Sequence, residues 1–195
     1  MLDRIKADPP SPMSFKLLAQ ASKSLSKVNV LIEDLLNASM ANQGQLNINS
    51  EIFNLFQLVE GCVSGFELEN HKISIEGKSE TMIFADPIRI EQILVNFITN
   101  ATKYAPDGKQ IIIRIEQNKT TTKVSVIDHG PGIAEEKIRY LFDRYYRTEN
   151  NGSRYTGLGL GLYICAEIIK KHEGQIGAES IVGTGTTFWF TLPSL

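Results

Sequence analysis

A chain of 195 residues, 42% hydrophobic and 22% charged, can build one good core, or one core with an appendage, and has the make-up of a soluble globular protein. Its formal charge of −2, with Lys and Arg scattered, excludes the basic footprint of a nucleic-acid binder. No apolar run is long enough to span a membrane, the N-terminus does not read as a signal peptide, and Cys62 and Cys165 lack metal-ligand spacing, so the expectation is a cytoplasmic chain with two free buried thiols.

In chain order, Ala7-Asp8-Pro9-Pro10-Ser11-Pro12 is a helix-breaking linker. Residues 14–42 contain no Pro or Gly, and Leu18, Ala21, Leu25, Val28, Ile32, Leu35 and Ser39 recur at spacings of three and four. That pattern predicts a long helix with a seam suited to a coiled coil or bundle, or a single helix packed on its own domain; a lone hairpin has too little to bury, so a bundle would imply self-association. Gly44 breaks the helix, which divides the chain into 1–44 and 45–195.

The second region mixes periods of two and 3.6. A short strand is expected over 46–49, and Asn54 with Gln57 has capping-box spacing ahead of a helix to about Asn70. Strands follow over 72–76 and 81–84. Asp86 before Pro87 is a cap and first-turn signal, opening a helix to about Lys103. Residues 110–117 and 121–127 read as a hairpin, and 134–141 as a short helix before a polar loop, 147–156. The glycine run from Gly157 to Leu162 feeds a helix, 163–171, and strands over 175–180 and 186–192 complete the chain. The expected fold is an α/β (α+β) two-layer sandwich, a mixed sheet with helices on one face.

Four stretches carry chemistry. Gly157, Gly159 and Gly161 alternate with Leu158, Leu160 and Leu162 ahead of a helix, presenting bare N–H groups and the positive end of a helix dipole, which suits phosphate; a tight packing turn would look the same. On the helix from Pro87, Arg89, Gln92, Asn96, Asn100 and Lys103 fall on one stripe. A solvated face would favour Lys and Glu, whereas this one centres on two asparagines, poor helix formers whose oxygens suit Mg²⁺ and whose amides suit phosphate. Lys103 stands one turn on, placed to neutralise phosphate charge. Asp128, at a strand end before Gly130 and Gly132, is either an ordinary turn residue or an acceptor for the exocyclic amino group of adenine. Arg144 and Arg147, among the aromatics that include Phe142, either make surface ion pairs or reach a terminal phosphate from beside a mobile lid, 147–156.

In this order and spacing the stretches resemble the catalytic and ATP-binding region of sensor histidine kinases, of the Bergerat ATPase fold. Asn96-Phe97-Ile98-Thr99-Asn100-Ala101-Thr102-Lys103-Tyr104 is similar to that family's N box, and Asp128-His129-Gly130-Pro131-Gly132 to its first glycine box. Phe142-Asp143-Arg144-Tyr145-Tyr146 resembles the F box, Gly157 to Gly161 the second glycine box, and Gly183-Thr184-Gly185-Thr186 a third glycine element. The helix over 14–42 is similar to the second helix of the family's dimerisation hairpin. The resemblance implies ATP and Mg²⁺ as ligands, with Asp128 on adenine and Tyr104 lining the base pocket. It implies Asn96 and Asn100 on Mg²⁺ and phosphates. Lys103, Gly130, Gly132, Ile133, Phe142, Gly157, Leu158, Gly159, Leu160, Gly161 and Thr186 complete the expected nucleotide site, with Asn96, Arg144 and Arg147 in catalysis.

It further implies transfer of the γ-phosphate to a histidine, a homodimer formed through the hairpin, and relay to a response-regulator receiver domain. Hydrolytic relatives of the superfamily carry Glu where Asn96 stands; an amide cannot act as a base, so hydrolysis should be slow. Two features depart from the pattern. The acceptor motif is absent, since His71, His129 and His172 all lack its surroundings, and residues 1–6 are read as the tail of the hairpin's first helix with the acceptor upstream. Glu173 occupies the usual first glycine of a His-Gly-Gly and is expected to be peripheral. The alternatives are an ATPase that drives a conformational cycle and a degenerate kinase serving as a docking or dimerisation module.

Overall fold

The computed structural model describes residues 12–66, 71–105, 110–147 and 158–195. The expected tail of a first hairpin helix, most of the linker, all of the lid but Arg147, and Gly157 lie outside these residues.

Helix α1 spans Pro12–Asn42, with Pro12 at its first position, where a missing N–H costs nothing. Its predicted seam exists as a face, but Leu18 (64%) and Leu25 (65%) are open to solvent, as are Val28, Ile32 and Leu35. Among its described side chains, the buried ones, Ala38 and Ala41, lie in the C-terminal turns, where α1 meets α5 (Gly161–Lys171). Lys171 Nζ donates to the Gly44 carbonyl there (3.0 Å).

Residues 46–49 form no strand. Leu46 is buried in the core, Ile48 is half-buried, and the Asn49 N–H bonds the Asp86 carboxylate (2.8 Å), so the alternation marks an extended plug. The strand is β1, Glu51–Asn54, antiparallel to β3, Met82–Ala85, in a separate two-stranded sheet. Helix α2 (Leu55–Ser64) is capped by Asn54, whose Oδ1 accepts from Gln57 N–H (3.0 Å). It stops short of Asn70 because Gly65 closes it, donating back to Gly61 and Cys62.

The main sheet has five strands: β2 (Lys72–Glu76), β4 (Gln110–Gln117), β5 (Thr121–Asp128), β6 (Gln175–Ile181) and β7 (Gly185–Pro193). They run in the order β2-β4-β5-β7-β6, with β2 and β4 parallel and the remaining pairs antiparallel, so the sheet is mixed as expected. Helices α2, α3 (Pro87–Tyr104) and α5 pack against it, covering Ile111, Ile113, Val124, Val126, Phe188 and Phe190. Phe97 of α3 sits at the centre, its ring 5.3 Å from Phe188 and 6.3 Å from Phe190. Lys123 and Trp189 lie on the opposite phase of the same strands, the ammonium 4.8 Å from the indole ring.

Helix α4 is one turn, Glu135–Ile138. Helix α5 begins at Gly161, two residues before the predicted start. It ends in a Schellman turn: Glu173 N–H bonds the Lys170 carbonyl and Gly174 N–H the Ile169 carbonyl. Glu173 occupies the left-handed position of that turn at φ 57°, which explains why glycine suits it. Cys62 and Cys165 are free and buried, and burial pushes the Cys62 thiol up to about 11.

Candidate nucleotide-binding site

Helix α3 is organised by an aspartate at each end. Asp86, the N-cap, accepts from Arg89 N–H at Oδ1 (3.1 Å) and from Asn49 N–H at Oδ2 (2.8 Å). Its own N–H donates to His172 Nε2 (3.0 Å), and the other ring nitrogen, Nδ1, must carry the proton because it bonds the Ile168 carbonyl (2.8 Å). His172 is therefore a neutral tie between α3 and α5. His129 is exposed, its Nδ1 on the Gln110 carbonyl (3.0 Å).

The polar stripe of α3 divides in two. Arg89 bonds Gln92 (3.0 Å) and Asn37 of α1 (3.1 Å), so its first half is a structural contact. In the second half, Asn100 Nδ2 donates to Asn96 Oδ1 (3.1 Å), locking two amides side by side. Gly161 lies directly against Asn96: a Cβ there would collide with the Asn96 amide nitrogen. The close approach, rather than any unusual dihedral, favours glycine, since any Cβ would displace the Asn96 amide from its bond with Asn100. It brings the second glycine element and the asparagine pair into one place.

At the C-terminal end, Lys103 holds its ammonium 4.7 Å from the Tyr104 ring. The loop after β5 folds under Tyr104, where Gly130 approaches the Tyr104 carbonyl too closely for any side chain. Asp128 is 5% exposed; its Oδ1 accepts from Gly130 N–H (2.8 Å) and Thr186 N–H (3.3 Å). Oδ2 has no hydrogen-bond partner among the described residues. Burial raises the Asp128 carboxyl above its ordinary value, against the two N–H bonds and the nearby His129 that pull it down. A buried carboxylate with one oxygen spent and one left is an acceptor awaiting a donor.

The remaining predicted residues surround this centre. Gly132 lies against the Ile181 carbonyl, and Ile133 N–H bonds Ser180 Oγ (2.8 Å). Phe142 packs on the core, and Tyr145 N–H bonds the Gly159 carbonyl (3.0 Å), which joins the aromatic segment to the glycine run. Arg144 and Arg147 are exposed, the Arg144 guanidinium 4.8 Å from the Tyr145 ring. Leu158 is largely exposed, whereas Leu160 is buried in the core, so only its backbone is available to a ligand. Ser180, a polar residue on the inward phase of β6, is the contact that sequence reasoning passed over; that phase was the signal that could have found it.

Among the described residues no group of three or more His, Cys, Asp or Glu could hold a metal ion, and no helix is long and apolar enough to cross a membrane.

This arrangement of asparagine pair, glycine loops and buried aspartate on a mixed sheet defines an ATP-binding domain, and residues 85–195 match the family model for histidine kinase-, DNA gyrase B- and HSP90-like ATPases. The chain belongs to that family, whose domain binds ATP. It is 34% identical over 185 residues to the adaptive-response sensory kinase SasA of Microcystis aeruginosa, covering 91% of this chain and 48% of SasA. The chain thus spans about half the length of the curated relatives it matches first. Among solved structures, the catalytic domain of histidine kinase ThkA matches with a TM-score of 0.66 and 32% identity, over 75% of this chain and 96% of that one. ThkA in complex with the response regulator TrrA matches over 98% of this chain and 54% of that one, with a TM-score of 0.70 and 25% identity.

Proposed function

We propose that this chain is the ATP-binding catalytic portion of a sensor histidine kinase, placing the γ-phosphate of ATP for attack by a histidine outside the described residues. The observation that carries the reading is Asn96. It stands beside Gly161 and bonded to Asn100, where a hydrolytic enzyme needs a base, and an amide cannot take a proton from water. The nucleophile must then arrive with its own lone pair, as a neutral imidazole does.

The donor set suits the nucleotide. Asp128 Oδ2 accepts the exocyclic amino group of adenine, with Tyr104, Gly130, Gly132, Ile133 and Thr186 around the base. The backbone of 158–161 lies along the phosphates; Gly157, expected to share that role, lies outside the described residues. Asn96 and Asn100 offer the one or two protein oxygens that Mg²⁺ takes, a cradle that a Cβ at position 161 would fill. Bound there, Mg²⁺ would neutralise phosphate charge. Lys103, Arg144 and Arg147 supply further positive charge. Residues 1–44 would contribute the second helix of a dimerisation hairpin, since α1 keeps a solvent-exposed apolar face, and residues 45–195 the catalytic domain. The likeness to ThkA bound to TrrA supports a response-regulator receiver domain as the final acceptor.

The test combines the protein with γ-labelled ATP, Mg²⁺ and a dimerisation hairpin carrying an acceptor histidine. Label on histidine, labile in acid, with little free phosphate when the hairpin is omitted, is the expected result. Rapid phosphate release without the hairpin would establish a hydrolytic ATPase instead. Failure to bind ATP would establish a docking module.

A further inference from the structure

Ser180 joins three parts of the nucleotide site. Its Oγ accepts from Ile133 N–H in the first glycine loop (2.8 Å) and donates to the Gly185 carbonyl (2.8 Å). It also lies 2.9 Å from the hydroxyl of Thr186. Thr186 is paired across the sheet with Asp128, lies on the same inward phase, is 6% exposed, and sends its N–H to Asp128 Oδ1.

A serine hydroxyl has one proton and two lone pairs. The Gly185 carbonyl can only accept, so it takes the Ser180 proton. The Ile133 N–H fills one lone pair, leaving one to receive the Thr186 proton. That directs the Thr186 O–H towards Ser180 and leaves only oxygen lone pairs beside Asp128. We propose that Ser180 is a positioning residue that fixes the direction of the Thr186 hydroxyl, so that the wall beside Asp128 presents acceptors alone and selects a 6-aminopurine over a 6-oxopurine nucleotide. The inference rests on the adenine reading of Asp128 and adds a second acceptor to it. A 6-oxo group brought against these oxygens meets acceptor with acceptor, and a buried mismatch of that kind discriminates more strongly than lost shape complementarity. Without Ser180 the Thr186 hydroxyl turns freely and can donate to a 6-oxo group.

The experiment measures affinities of the full chain for ATP and ITP, with Mg²⁺, by calorimetry. ITP is chosen because it differs from ATP only in its 6-oxo group and N1 proton. The wild-type protein should prefer ATP by roughly 100-fold, and Ser180→Ala should shrink that ratio roughly fivefold to tenfold, the worth of about one hydrogen bond. Ser180→Thr, which keeps the hydroxyl, should hold the wild-type ratio. Should Ser180→Ala fail to fold in a thermal melt, Ser180→Cys keeps the volume with far weaker hydrogen bonding and gives the same reading. An unchanged ATP/ITP ratio in a folded Ser180 variant, with both affinities reduced equally, shows that Ser180 only holds the loops together and overturns the proposal. No preference in the wild-type protein would overturn the adenine reading of Asp128, and this inference with it.

Discussion

Two aspartates bracket helix α3, one as its N-cap and one near its last residue, at opposite ends of an 18-residue helix about 27 Å long. Both are 5% exposed and both accept from two backbone N–H groups. Asp86 divides its bonds between its two oxygens and is complete. Asp128 receives both bonds on Oδ1, and its carboxyl is held above its ordinary value by burial. Burial and the number of hydrogen bonds therefore do not separate the two; the unspent oxygen does, and it makes Asp128 the candidate for a ligand contact.

The largest effect that tests this contrast is Asp128→Asn. The amide oxygen can keep both N–H bonds while its NH₂ faces the donor of adenine, so ATP affinity should fall about 100-fold or more, with the fold retained. Undiminished affinity in calorimetry would sink the adenine assignment. Asp86→Ala should do the reverse. Losing the cap and the Asn49 contact costs about 2–3 kcal/mol, or a melting temperature lower by about 5–10 °C, while the folded protein binds ATP as before.

Protonation sharpens the contrast more gently. Because the folded-state pKa of Asp128 is raised, its contribution to stability is complete at low pH and is lost as pH rises through that value. On the proposed adenine contact, binding needs the ionised oxygen and so runs the other way. ATP affinity should weaken as pH falls towards the raised pKa, by up to about tenfold per unit below it, and Asp128→Asn should lack this component. The smallest effect belongs to Glu173→Gly. Relieving the left-handed glutamate beside His172 should add about 1 kcal/mol at the Asp86 end and leave ATP affinity unchanged.

What was legible in the chain was local. Asn54 and Asp86 announce their helices because a cap is satisfied within three residues, and the inward and outward phases of β4, β5 and β7 are written in alternation. The boxes around Asn96, Asp128 and Gly159 were legible as motifs. What was hidden depends on distant partners. Leu46 and Ile48 alternate like a strand, yet no local rule shows that Asn49 bonds Asp86, 37 residues on. The fit of Gly161 against Asn96 and the bond from Asp86 N–H to His172 are long-range in the same way. The apolar seam of α1 shows the limit most plainly: periodicity reveals a face, but not what covers it.

Strand β7 lies between β5 and β6 rather than at an edge, and it bears Thr186. During vectorial synthesis β6 cannot join the sheet beside β5 until β7, made after both, slots in between. Asp128 lacks one of its two N–H donors until then, so ATP binding should appear all at once, with β7, and never in a shorter nascent chain. Stalled nascent chains ending before Gly185 should therefore hold ATP no better than an unfolded polypeptide does.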